Sequence, residues 1–314
     1  MRLFTLFLLA TLVTISVLPT GVMADPPLIR KNAADLTSTE WTLFKDAWSH
    51  VSSAGLLGNF IDLHSEVRSQ NGYLDPRAQR FLPWHRVFLA EFEKELQDYN
   101  GTTIPYWDWN EYDEGDLVGN PLVEHPSDPD WGIWNFTPDV LTSSGSVMQV
   151  ARHVGGSGWS IPTSEEYDFV DQRPVYWDGN MSNSFATRLQ SMSDSVHVYV
   201  GGNMGGISTG PSDPVYWMHR AFVDKTWFDW EQTHLQYSFN FSNGADAILS
   251  PWDTHAMDVQ IPAVGGIVNS IEFFTGDPRI HPGYSYDAIP VPEPTTLLLV
   301  LLALAAAPLR VRCG

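Results

Sequence analysis

The sequence predicts a mainly α protein, a bundle of helices joined by long irregular loops with its functional site in the core. Two observations lead there. Five stretches repeat apolar residues at helical spacing, and there is little of the two-residue alternation of a half-buried strand. Between them run segments rich in Gly, Pro, Asp and Trp, notably 111–139 and 201–214. A content of 43% hydrophobic and 13% aromatic residues supplies a packed core and excludes general disorder. No internal repeat is visible, and 314 residues suit one large domain or two small ones.

The first helix is expected over 36–57, where Asp35 or Thr37 can cap it and Trp41, Phe44, Trp48 and Val51 fall on one face. A second is expected over 58–67, with Phe60, Ile61, His64 and Val67 near one face. The third, 87–99, carries the stripe Phe88, Leu89, Phe92 and Leu96. A fourth is expected over 181–192 around Phe185 and Leu189. The fifth and clearest is 217–234, where Phe222, Trp227 and Trp230 are interleaved with Asp224, Lys225 and Asp229.

Both ends read as addresses. Residues 1–24 have a basic start at Arg2, an apolar run, and small residues before a cleavage point at Ala24, which is the pattern of a secretory signal peptide. The run is short for a membrane span. At the other end, Val291-Pro292-Glu293-Pro294 precedes an apolar segment, 297–309, and then Arg310 and Arg312. Basic residues after an apolar segment hold that end on the cytoplasmic side. The tail 291–314 resembles the PEP-CTERM sorting signal of Gram-negative bacteria. That resemblance implies a transient inner-membrane anchor, cleavage by exosortase-type sorting machinery, and a final place at the cell surface or in the extracellular matrix. A glycolipid-anchor signal is the alternative, though such tails seldom end in arginines. On this division the folded unit is 25–290.

Charge and cysteine usage narrow the partners. The chain has 37 acidic and 17 basic side chains. Setting aside Arg2, Arg310, Arg312 and Glu293 leaves 36 acidic and 14 basic ones in the central unit, which is therefore more acidic still. Phosphate binding needs clustered Lys and Arg, so a nucleic-acid partner is excluded. The single cysteine, Cys313, lies in the tail. That excludes a disulfide framework, a cysteine zinc site and an iron–sulfur cluster. Ten histidines remain as possible metal ligands. The Asn-x-Ser/Thr sequons at Asn100, Asn135, Asn180 and Asn240 are read as chance in a bacterial chain.

Three stretches are specific. They are Phe81-Leu82-Pro83-Trp84-His85-Arg86, followed by Glu91-Phe92-Glu93; Ile104-Pro105-Tyr106-Trp107-Asp108-Trp109; and Val196-His197 through Gly201-Gly202, followed by Ser212-Asp213-Pro214-Val215-Tyr216-Trp217-Met218-His219, Asp224 and Trp227. In this order they resemble the tyrosinase family of type-3 copper proteins, which includes catechol oxidases and haemocyanins. The resemblance covers roughly 29–235. It implies a four-helix bundle core, two copper ions each held by three histidines, and oxidation of a phenolic small molecule by dioxygen bound between the metals. Neutral imidazole suits copper, and paired metals share the charge of reduced oxygen.

Carried over residue by residue, the family's ligand set is half complete. His64, His85 and His197 stand at ligand positions. Pro76, Ser193 and Arg220 stand where the other three histidines belong. Proline has no ligand atom, serine is a poor copper ligand, and a guanidinium offers five donors and no lone pair. His219 matches a neighbour that is not a ligand, and one step along a helix turns a side chain by about 100°. Three readings follow: a pseudoenzyme impaired or inactive as a phenol oxidase; a working copper polyphenol oxidase that recruits His50, His125, His153 or His255; or one metal gathered by His64, His85 and His197. Arg220 either fills the vacated metal position, pairing with Asp194 or Asp224, or snorkels to solvent.

Overall fold

The computed structural model describes residues 28–69, 81–111, 133–176, 184–234 and 284–287. The fold is mainly helical, with helices α1 (Ser38–Ser53), α2 (Leu56–Ser69), α3 (Phe81–Asn100), α4 (Ser164–Asp171), α5 (Phe185–Val200), α6 (Gly202–Gly205) and α7 (Pro214–Thr233). Strand β1 (Leu28–Arg30) pairs in parallel with β4 (Tyr284–Tyr286), and β2 (Asp139–Leu141) pairs antiparallel with β3 (Val147–Gln149). Both sheets are two-stranded, and Val140 of β2 and Tyr286 of β4 are buried in the core. The signal-like and tail-like ends fall outside the described residues, and so do Pro76, His125 and His255. Among the described residues no helix is long and apolar enough to cross a membrane.

Local chemistry sets each helix end. Thr37 caps α1: its hydroxyl accepts from the Glu40 amide while the Glu40 carboxylate accepts from the Thr37 amide. Thr163 and Glu166 form the same reciprocal pair at the start of α4. This Thr-x-x-Glu pattern marks a helix start that hydrophobic spacing alone does not reveal. Helix α3 begins at Phe81, six residues before the expected 87. Pro83 lies in its first turn, where amides lack intrahelical acceptors, so proline costs little there. That earlier start puts His85 on a helix. Helix α5 runs eight residues beyond the expected 192 and stops at Gly201, whose φ of 64° breaks the helix.

The core that fixes the site is aromatic. Trp217 of α7 stacks on Phe92 of α3 at 3.7 Å and on Phe88 at 4.9 Å. Phe60 of α2 meets Phe88, Phe92 and Trp217 edge-on at 5.5–5.7 Å. These rings hold α2, α3 and α7 in register beside the histidines. A buried ionic cluster ties α3 and α7 to the β1–β4 sheet. Arg30 of β1 forks onto Glu93 with two bonds of 2.9 Å and reaches Asp224 at 3.1 Å. Arg86 and the Tyr286 hydroxyl also donate to Asp224. Burial pushes the Asp224 carboxyl up, but the Arg86 and Arg30 guanidiniums and the Tyr286 hydroxyl outweigh it and hold it low.

Candidate functional site

Helices α2, α3, α5 and α7 bring His64, His85, His197 and Arg220 to the wall of one cavity of about 280 Å³. Phe81, Gln190, Asp194, Met204, Ile207 and Tyr216 complete much of that wall. A larger groove of about 490 Å³ runs along α4 and α5 past Trp159 and Phe169 and contains none of these histidines.

The three histidines at the cavity are oriented alike. Each turns Nδ1 onto a backbone carbonyl: His64 to Ile207 at 2.9 Å, His85 to Phe81 at 2.8 Å, and His197 to Met204 at 2.9 Å. A carbonyl only accepts, so the proton sits on Nδ1. The Nε2 atoms of His85 and His197 are covered from solvent and have no hydrogen-bond partner. Burial first, and the Arg220 guanidinium second, hold both imidazoles well below their ordinary pKa. Both are therefore neutral, and each presents an Nε2 lone pair. Rings of His64 and His85 lie 5.7 Å apart, and Tyr216 stands between His64 at 5.5 Å and His197 at 5.6 Å. Burial pushes the Tyr216 phenol up to about 12, so it stays protonated.

The other half of the site is built differently. Trp109 Nε1 donates to His219 Nδ1 at 3.1 Å, and an indole N–H can only donate. His219 must then carry its proton on Nε2 and give it to the Ser193 hydroxyl, 2.9 Å away. Arg220 NH1 donates to the same hydroxyl at 2.7 Å. Two donors use both lone pairs of Ser193. Neither Ser193 nor His219 has a lone pair left for a metal.

Arg220 is 5% exposed and does not snorkel. Its guanidinium carbon lies 5.0 Å from the Phe81 ring and 5.3 Å from the Tyr216 ring. The expected pairing with Asp224 is overturned, because Asp224 is committed to Arg30, Arg86 and Tyr286. Asp194 lines the cavity from an exposed position and makes no ion pair with Arg220. Nor do the two described substitutes, His50 and His153, reach the cavity. His50 stacks on Tyr99 at 4.1 Å, and His153 sits in the turn that packs on Gly201 and Gly202. Among the described residues no three His, Cys, Asp or Glu side chains come together as a metal site. Sequence reasoning gave no role to Tyr216 or Phe81, which are not ligand types, and could not show the contacts that join Trp109, His219 and Ser193.

A family model described as the common central domain of tyrosinase matches residues 59–233. The chain belongs to the tyrosinase family. It is 32% identical to the tyrosinase of Streptomyces lincolnensis over 259 residues, which cover 71% of this chain and 92% of that one. It is 31% identical to the tyrosinase of Streptomyces antibioticus over 260 residues, covering 72% and 93%. Among solved structures, a functional unit from octopus hemocyanin superposes with a TM-score of 0.56 at 18% identity, over 83% of this chain and 68% of that one. Deoxygenated hemocyanin from Rapana thomasiana gives 0.56 at 15% identity, over 90% and 76%. At those identities the likeness is one of fold.

Measured against the copper that this family implies, the described residues fit in part. His85 and His197 offer buried, partnerless Nε2 atoms of the kind copper takes. The Ser193 and Arg220 positions offer no free lone pair, and the guanidinium is a permanent cation. Among the described residues, the Ser193–Arg220 half does not fit a copper ion.

Proposed function

We propose that this tyrosinase-family protein keeps the family's fold without its two-copper chemistry, and is impaired or inactive as a phenol oxidase. The observation that carries this reading is the doubly engaged Ser193 hydroxyl with Arg220 locked onto it. A cation held there opposes a second cation, and nothing at that position can donate electrons to one. On this reading α2, α3, α5 and α7 form the four-helix bundle of the family, and the His64–His85 side is a remnant half-site. The signal-like 1–24 and the PEP-CTERM-like 291–314 support export to the surface or matrix of a Gram-negative-type bacterium, with exosortase-type sorting machinery as a processing partner.

The second reading is a working copper polyphenol oxidase acting on phenols with dioxygen. It is favoured by the family itself, since the Streptomyces relatives are tyrosinases. Metal analysis of the purified chain after copper loading separates the two. The first reading expects fewer than two coppers per chain, no peroxide absorption on admitting oxygen, and a blank catechol assay. Two coppers per chain with a peroxide band would overturn it.

A further inference from the structure

Four arginines have buried side chains among the described residues, and three of them meet a carboxylate. Arg30 has Glu93 and Asp224, Arg86 has Asp224, and Arg152 has Asp213 at 2.7 Å. Arg220 is the exception. It bonds the Ser193 hydroxyl through NH1, its Nε is buried without a partner, and no described carboxylate lies within 4.0 Å of it. A guanidinium stays charged at any physiological pH, and taking it out of water is costly unless an anion meets it. This one borders a cavity, so the missing anion has a place to come from.

The rest of the wall says what kind of anion. His85 and His197 present Nε2 lone pairs, which repel a bare anion and call for an O–H or N–H on the ligand. Phe81, Tyr216, Met204 and Ile207 add apolar surface. A cavity of about 280 Å³ suits one substituted ring rather than a chain of them. The complement is thus a small molecule with an anionic end, a flat apolar body and a hydroxyl.

We infer that the cavity binds a small hydroxylated aromatic carboxylate, its carboxylate on the Arg220 guanidinium and its hydroxyl donating to Nε2 of His85 or His197. This rests on the reading that no copper occupies the Arg220 position. It differs from phenol recognition at a copper pair, because the carboxylate supplies the affinity. Ring and hydroxyl set the orientation. A fork of N–H donors facing a carboxylate gives the directional, charge-assisted contact that a lone phenol lacks.

The test is calorimetric titration of the full chain with 4-hydroxybenzoate, benzoate and phenol, with copper content measured on the same sample. The expected order is 4-hydroxybenzoate tightest, benzoate severalfold weaker, and phenol weaker than 4-hydroxybenzoate by about tenfold or more. Arg220→Gln should erase the advantage of 4-hydroxybenzoate over phenol. Arg220→Lys, which keeps the charge but loses the fork, should fall between. Should Arg220→Gln fail to fold, the three-probe ranking on the unaltered chain still decides. Equal binding of phenol and 4-hydroxybenzoate by a copper-poor chain, or binding of neither, overturns the ligand assignment and leaves the proposed function standing. Two coppers per chain overturns the proposed function beneath it.

Discussion

Two arginine-to-methionine replacements, each removing one buried guanidinium of similar size, should behave in opposite ways. Arg30 is fully buried and bonds Glu93 twice at 2.9 Å, Asp224 at 3.1 Å and Tyr286 at 2.9 Å. Arg30→Met leaves Glu93 with the Ile104 amide and Asp224 with Arg86 and Tyr286, so two carboxylates at 1% and 3% exposure lose a counter-charge. Breaking a buried pair from one side costs about 3–5 kcal/mol. Arg220→Met loses one charge-assisted bond to Ser193, worth about 1.5–3 kcal/mol. It also removes a buried cation with no carboxylate partner, whose desolvation costs a comparable few kcal/mol. The net change is expected to lie within about 1 kcal/mol of zero, on either side. Urea unfolding of both variants at one pH, read as the change in unfolding free energy, makes the comparison. An Arg220→Met loss as large as that of Arg30→Met would mean the guanidinium already has its anion, and both the lone-cation argument and the ligand drawn from it would fall.

Other consequences are separately measurable. Ser193→Ala removes the common acceptor of His219 and Arg220, and should lower stability by about 1–3 kcal/mol in a thermal melt; an unchanged melt would show that the hydroxyl links nothing. Gly202 has φ 57°, and an added Cβ would stand 1.9 Å from the Ala151 carbonyl oxygen, so Gly202→Ala should cost more than the roughly 1–3 kcal/mol of backbone strain alone; a loss below 1 kcal/mol would show that the turn relaxes freely. The imidazoles of His85, His197 and His219 are depressed below 6.5, mainly by burial. Below that value the unfolded chain takes up protons that the folded chain refuses, so stability is full above about pH 6.5 and falls as pH drops, by up to about 1.4 kcal/mol per pH unit for each group. Urea midpoints between about pH 7.5 and 5.5 read that slope, and a flat profile would contradict neutral, buried imidazoles. Ser193→His combined with Arg220→His should raise copper uptake measured by metal analysis, and unchanged uptake would mean these two residues are not what closes that half.

Much of the helical frame was legible because burial follows spacing. Trp41, Phe44, Trp48 and Val51 recur at helical intervals and are all buried on α1. Helix ends were less legible. Pro83 reads as a stop, yet in a first turn it is harmless, and α5 continues through a polar Ser–Asp–Ser run until Gly201 ends it. The short α4 was missed although its capping pair was visible, because eight residues carry too little periodicity to register.

By itself, the sequence determined the family, through three ordered motifs, and the set of ligand types, through a count of which positions hold histidine. The family resemblance also sets Arg220 at a ligand position. What it left open was where that guanidinium goes. Spacing along a helix sets the side on which a residue leaves, but partners from distant segments choose its rotamer and its charge balance. Asp224 looked available from its place one turn beyond Arg220, and only the fold showed it taken by Arg30 from β1 and Arg86 from α3. The resemblance set His219 aside as a neighbour that is not a ligand, and only the approach of Trp109 and Ser193 showed both its nitrogens in use. The tertiary structure thus turned two of the replaced positions, Ser193 and Arg220, into a closed half-site with a lone buried cation, because hydrogen-bond capacity is finite and is spent on whichever groups packing brings within reach.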